Sequence, residues 1–243
     1  EELRSLASYT DELTTAQHLE MATRLLGRWI SFSEENSGRV WNRKKLAPSV
    51  MDYATPSGAP GGLTLMAFSG NQGRLMIPIS AFLAAAPDSL ARIVVVDDPK
   101  RKHFEDGVEG VSDTAAELTD ALLKLIGRPD SKRLVFMGTS AGGLMAYLGA
   151  LSAGADRAAL VSPDSLRRHF SLELAVRREK ELGAFLLETR IISGRSRRDL
   201  AGVIRGARLD NSRLRIDWST SHNVLSSAVN RSHLKKLLKW LLD

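Results

Sequence analysis

"RLVFMGTSAGGLMAYLGAL", Arg133 to Leu151, joins two apolar runs of different period through a turn of small residues. The first run is short and continuous, as in a strand buried on both faces, and the second, beginning at Gly142, has helical spacing. Between them, Gly138-Thr139-Ser140-Ala141-Gly142 fits G-x-S-x-G at a strand-to-helix junction. Small neighbours permit a tight turn that lifts the Ser140 hydroxyl out of the sheet and aims the N-terminus of the next helix at it. The Ala141 N–H then points toward the place where a tetrahedral oxyanion would form. The plainer alternative is a glycine-rich turn whose serine caps the helix. The rest of the chain has to separate the two.

Outward from this stretch, strand and helix patterns alternate. Upstream lie "LTLMAF", a helix through "ISAFLAAA", "ARIVVVDD" and a helix through "SDTAAELTDALLKLI". Downstream come "RAALVS", a charged helix from about Ser171 to Leu182, "ETRIISG", a helix from Asp199, "LRIDWS" and a last helix through "LKKLLKWLL". Buried Val/Ile/Leu strands each followed by a helix predict a three-layer α/β fold with a mostly parallel central sheet. The first sixty residues are less regular. They hold an amphipathic helix around Thr14 to Leu26, strand-like pieces at "RWISFS" and "GRVWNR", and a Pro/Gly-rich passage from Ala47 to Gly62 that reads as loop. With 243 residues, residues 1–243 are expected to form a single domain.

Composition narrows the function classes. The chain has no cysteine, which excludes disulfides and thiolate metal sites. No apolar run approaches the roughly 20 residues of a membrane helix, so stable membrane insertion is not expected. The opening "EELRSLASYT" has neither the positive start nor the apolar centre of a signal peptide and lacks an initiating methionine. A cytoplasmic location is the default expectation, for a chain read as trimmed or cut from something longer. Net charge is +6, but the arginines are scattered through "SLRRHF", "AVRREK" and "GRSRRD" without a nucleic-acid-binding signature. They read as a solvated basic face, with no nucleic-acid partner.

A serine hydroxyl is a weak nucleophile and needs a positioned base. His222 follows the last strand directly in "RIDWSTSHNVL", which puts it on a loop at the sheet edge where Ser140 stands. His233 lies within the terminal helix beside lysines, and His18, His103 and His169 come too early in the chain for the order serine, acid, histidine. The acid has two candidates: Asp199, in "RIISGRSRRDLAGVI", and, as the alternative acid, Asp164, in "LVSPDS" one strand earlier. A second oxyanion donor is expected from "FSGNQG" after the "LTLMAF" strand, at Gly70 and Asn71, where glycines let the backbone turn its amides inward.

From about Leu63 to the C-terminus, the order of oxyanion loop, G-x-S-x-G and late histidine resembles the α/β-hydrolase superfamily. "GTSAGGLMAYLGALSAGADRAALVSPDS" and "SHNVL" are also loosely similar to hydrolase-like domains of bacterial proteins of cell-surface polysaccharide assembly or export. The resemblance implies Ser140 as nucleophile, His222 as base and an acid at Asp199; acyl hydrolysis by such residues needs no metal and no cofactor, and a small-molecule or carbohydrate ester is the expected substrate. It departs from the family three residues past Gly194, where many members carry aspartate and this chain has Arg197. Ester hydrolysis is the expected activity. Acyl transfer by the same residues is a rival, and so is a non-catalytic hydrolase-fold domain that binds a protein partner.

Overall fold

The computed structural model describes residue 23 and residues 39–56, 62–130, 133–163, 187–193, 214–218 and 231–242. Its core is an eight-stranded sheet of order β1-β2-β4-β3-β5-β6-β7-β8. The strands are β1 (Asn42–Ala47), β2 (Val50–Ala54), β3 (Leu63–Phe68), β4 (Leu90–Val96), β5 (Leu134–Thr139), β6 (Arg157–Val161), β7 (Glu188–Ser193) and β8 (Leu214–Trp218). The described helices are α1 (Ile79–Ala85), α2 (Ala115–Ile126), α3 (Gly143–Ala153) and α4 (Arg231–Leu242). From β4 through β3 to β8 all neighbours pair in parallel, and β2 runs antiparallel to both β1 and β4. None of the described helices is long and apolar enough to cross a membrane.

The strand pattern expected in "LTLMAF", "ARIVVV", "RLVFMG", "RAALV", "ETRIIS" and "LRIDW" is present in β3 to β8. The N-terminal region differs. The strand expected around "GRVWNR" begins only at Asn42, and Val50–Ala54, inside the passage read as loop, forms β2. β1 carries Arg43, Lys44 and Lys45 because it is the sheet's edge, where charge discourages pairing with another chain and erases the apolar alternation. Pro48-Ser49 turns the chain so tightly that Ala47 pairs with Val50, and this proline beside the strand obscures it in the sequence. The Thr14 to Leu26 helix, "RWISFS" and the helices from Ser171 and Asp199 lie outside the described residues, apart from a helical Thr23.

Alternate side chains of β3 to β7 feed two cores, one on each face. Met66, Phe68, Val94, Val96, Phe136, Leu160 and Ile191 meet Leu118 and Leu122 of α2 and the almost wholly buried α3. Leu65, Ala67, Ile93, Val135, Met137, Val161 and Ile192 meet Phe82 of α1 and Leu237, Leu238 and Leu241 of α4. This gives the three layers expected. α2 begins with a reciprocal cap: the Thr114 hydroxyl accepts from Glu117 N at 3.3 Å and donates to the Glu117 carboxylate at 3.1 Å. Its C-terminal carbonyl at Ile126 accepts from Arg92 at 2.8 Å, while the same guanidinium grips both carboxylate oxygens of Asp52 at 2.8 Å, tying β4, β2 and α2 together.

Phe136 sits where the α2/α3 core is thickest. Its ring stacks on Phe68 with centroids 6.4 Å apart, and it packs so closely on Gly149 of α3 that a Cβ there would stand 2.7 Å from it. Phe136→Ala is therefore expected to lower stability by about 3–5 kcal/mol, read from the urea midpoint. A loss below about 1 kcal/mol would mean that this core collapses around the vacancy and does not set the α3–β5 spacing.

Candidate active site

From Leu134 through Leu151 every residue is buried except Ser140. The chain leaves β5 at Thr139, makes a single 3₁₀ turn over Ser140–Gly142 and enters α3. Ser140 has φ +47°, a left-handed conformation that costs an L-residue with a Cβ roughly 1–2 kcal/mol. Thr139 is the N-cap of the 3₁₀ turn and Gly142 that of α3, so Ser140 occupies neither capping position. Ser140 is partly exposed in this strained conformation.

The two glycines of the motif are required by contact. A Cβ on Gly138 would lie 2.2 Å from the carbonyl oxygen of Gly142, and one on Gly142 would lie 2.4 Å from that of Phe68 and 2.7 Å from that of Ser69. The turn closes on itself and presses against the end of β3. The β3–α1 loop is thereby held beside the serine: a Cβ on Gly70 would stand 3.3 Å from the Ser140 Cβ and 3.4 Å from Thr139 O.

The Arg74 carbonyl organises this loop. It accepts from Gly70 N at 3.1 Å and from the Thr139 hydroxyl at 3.2 Å, while Gly73 N donates to Gly70 O at 2.9 Å across a turn with Gly73 at φ +65°. The Gly70 N–H, expected as an oxyanion donor, is thus engaged by Arg74, and Gly70 contributes its missing side chain instead. Asn71 follows it with Oδ1 buried and without a hydrogen-bond partner. The Ala141 N–H lies in the first turn after β5, where helix amides lack intrahelical acceptors.

Beyond the loop opens a cleft of about 610 Å³ whose lining includes Gln72 and Arg74 of the loop, Arg43 of β1, Tyr53 of β2, and Asp97 and Arg101 after β4. Burial raises the Asp97 carboxyl above the usual carboxylate range, opposed in part by the Ser69 hydroxyl. Ser69 Oγ and Asp97 Oδ1 are both buried without a hydrogen-bond partner. Burial likewise raises the Tyr53 phenol, against a lowering by Arg43. Arg101 belongs to the basic segment "KRKHFEDG" that follows β4, whereas Arg43 and Tyr53 reach the cleft through the pairing of β1, β2 and β4.

Of the residues singled out in the sequence, the structure brings together Ser140, Ala141, Gly70 and Asn71 at the carboxyl edge of the sheet. His222, Asp199 and Asp164 lie outside the described residues. The strands that precede them, β8, β7 and β6, all run parallel to β5 and end at that edge. Among the described residues no cluster of three or more His, Asp or Glu side chains forms a metal site.

Two properties of this site are directly measurable. Ser140→Gly relieves the left-handed strain of roughly 1–2 kcal/mol at an entropic cost of roughly 0.5–1 kcal/mol, so the variant is expected to be as stable as the parent or slightly more so. A clear drop in its melting temperature would show that the turn is not strained at Ser140. For Asp97, the pKa in the folded state lies above that of the unfolded chain, so between the two values the folded protein holds the extra proton and stability falls as pH rises through that window. Asp97→Asn is therefore expected to stabilise the protein at pH 7 and to lose this advantage as pH drops to the ordinary carboxylate range. Denaturation curves at both pH values check this, and equal effects at both would contradict it.

The fold has counterparts among solved structures. The chain superposes on a hormone-sensitive lipase from a metagenome library with a TM-score of 0.54 and 16% identity over 98% of this chain and 96% of that one. An esterase from Pyrobaculum calidifontis matches with a TM-score of 0.58 and 12% identity, again over 98% and 96%. Esterase Est22 gives 0.53 and 8% identity over 99% of this chain and 93% of that one. No family model and no curated protein matches the sequence. The likeness is one of fold, and the fold is that of the α/β-hydrolases.

Proposed function

We propose that this chain is a serine hydrolase that cleaves an ester through an acyl-enzyme intermediate. The observation that carries the reading is Ser140: the one residue left partly exposed between Leu134 and Leu151, held in a strained conformation against the β3–α1 loop. Strain of this kind persists where the surroundings over-determine it, as active sites do.

In this mechanism Ser140 Oγ attacks the ester carbonyl as His222 takes its proton. The carbonyl oxygen becomes an oxyanion held by the Ala141 N–H and by Asn71 as the second donor, with Gly70 providing the close approach. His222 then protonates the departing alcohol, and water, activated by the same imidazole, releases the acid and restores the serine. Asp199 orients His222 and stabilises its charged form, and Asp164 is the alternative for that role. Donors fixed before the reaction need no reorganisation as charge develops, which is the main source of acceleration in such sites.

Turnover of p-nitrophenyl acetate tests this. Ser140→Ala should lower kcat by about three orders of magnitude or more, and Asp199→Asn by up to about four, because the amide leaves the geometry but gives the imidazole the wrong tautomer. Asp164→Asn should change it less than about tenfold. Undiminished turnover in Ser140→Ala would end the serine-hydrolase reading, and a large loss in Asp164→Asn alone would move the acid back by one strand.

A further inference from the structure

The cleft beside the candidate serine has a chemical character that a general ester site does not need. Arg43, Arg74 and Arg101 all line it, and none of them forms an ion pair among the described residues. In contrast, Arg92, Arg128 and Arg157 are each bound to a carboxylate. Three guanidiniums without an ion-pair partner among the described residues, set against the single carboxylate of Asp97 in the lining, attract an anion. Among them stands Asp97, with Oδ1 buried and without a hydrogen-bond partner. A buried carboxylate oxygen left in this state is costly, and a ligand that donates to it relieves the cost. A cationic donor is disfavoured by the three surrounding arginines, which leaves a neutral one, a hydroxyl above all.

The register places the cleft within reach of Ser140. Val96 of β4 and Gly138 of β5 both align with Phe68 of β3, so the two strands that deliver Asp97 and Ser140 end two strand spacings, about 10 Å, apart. The loop between them faces both ways: Gly70 touches the serine while Gln72, Gly73 and Arg74 line the cleft. A group one sugar ring in size spans that separation.

We propose that this cleft binds a polyhydroxylated anion, with Arg43, Arg74 and Arg101 holding its carboxylate or phosphate and Asp97 accepting from one of its hydroxyls. Resting on the serine-hydrolase reading, this makes the substrate an ester whose non-reacting part is an acidic or phosphorylated sugar-like group, and it makes Asp97 and the arginines specificity residues with no part in the chemical step. The net charge of +6 assists the approach of such a substrate.

Calorimetric titration of the full chain with glucuronate, glucose 6-phosphate, glucose and hexanoate reads binding alone and so does not depend on turnover. At least one of the two anionic sugars should bind about tenfold or more tighter than both glucose and hexanoate, and that preference should shrink as salt rises from 0.1 to 1 M, where the Debye length falls from about 10 to about 3 Å. Arg43→Gln/Arg101→Gln, at two exposed positions, should weaken the anionic sugar about tenfold, and Asp97→Asn should weaken it severalfold while leaving hexanoate unchanged. Equal affinity for glucose and both anionic sugars, or an arginine double variant that binds as the parent does, overturns the assignment. If Ser140-dependent ester turnover is present without that preference, the cleft assignment falls and the hydrolase stands. If the preference is present while Ser140→Ala leaves turnover unchanged, the cleft stands and the hydrolase reading falls.

Discussion

The carbonyl oxygen of Phe68 lies so near the Cα of Gly142 that a side chain there would stand 2.4 Å from it, and the carboxyl edge of the sheet is organised by this approach. Because the turn after β5 presses on the end of β3 without an intervening side chain, α3 starts directly over the sheet. The same closeness brings Gly70 onto Ser140 and lets one carbonyl, that of Arg74, hold both the loop and Thr139. A methyl group at Gly138 or Gly142 would force these backbones apart and separate the serine from its candidate oxyanion donors. Function at this edge is thus tied to a backbone contact that the buried cores on both faces keep in place.

Strain and burial act together here. A left-handed serine is tolerated because β5 and the first nine residues of α3 are buried, so relaxing φ at Ser140 would disturb packing worth more than the strain. The outcome is a hydroxyl that is fixed and accessible at once. Two strands away the same edge carries the opposite kind of compromise, a carboxyl at Asp97 whose burial opposes its charge. Both features lower stability locally.

The sequence reveals the sheet from β3 onward because those strands are buried on both faces and are written as unbroken apolar runs. It hides β2, whose five residues sit among prolines and glycines, and it misplaces β1, whose edge position substitutes lysine and arginine for alternation. Ser140 was legible because G-x-S-x-G has mechanical meaning only between a strand and a helix, and that is where it falls. The commitment of the Gly70 amide was not legible, since its acceptor, Arg74 O, is a backbone group with no sequence signal. The cleft is legible only in part: Arg101 stands in a basic run directly after the β4 pattern, but the contribution of Arg43 and Tyr53 depends on the antiparallel pairing of β1, β2 and β4, which no local pattern encodes.

The central claim is that the turn after β5 turns Ser140 into an activated nucleophile. The most direct measurement is reaction of the folded protein with a fluorophosphonate, followed by peptide mass spectrometry to locate the phosphonyl group. One equivalent on the peptide containing Ser140, lost when the protein is unfolded before reaction, is the result this account predicts. No label, or label spread over other serines while Ser140 stays unmodified, would contradict it.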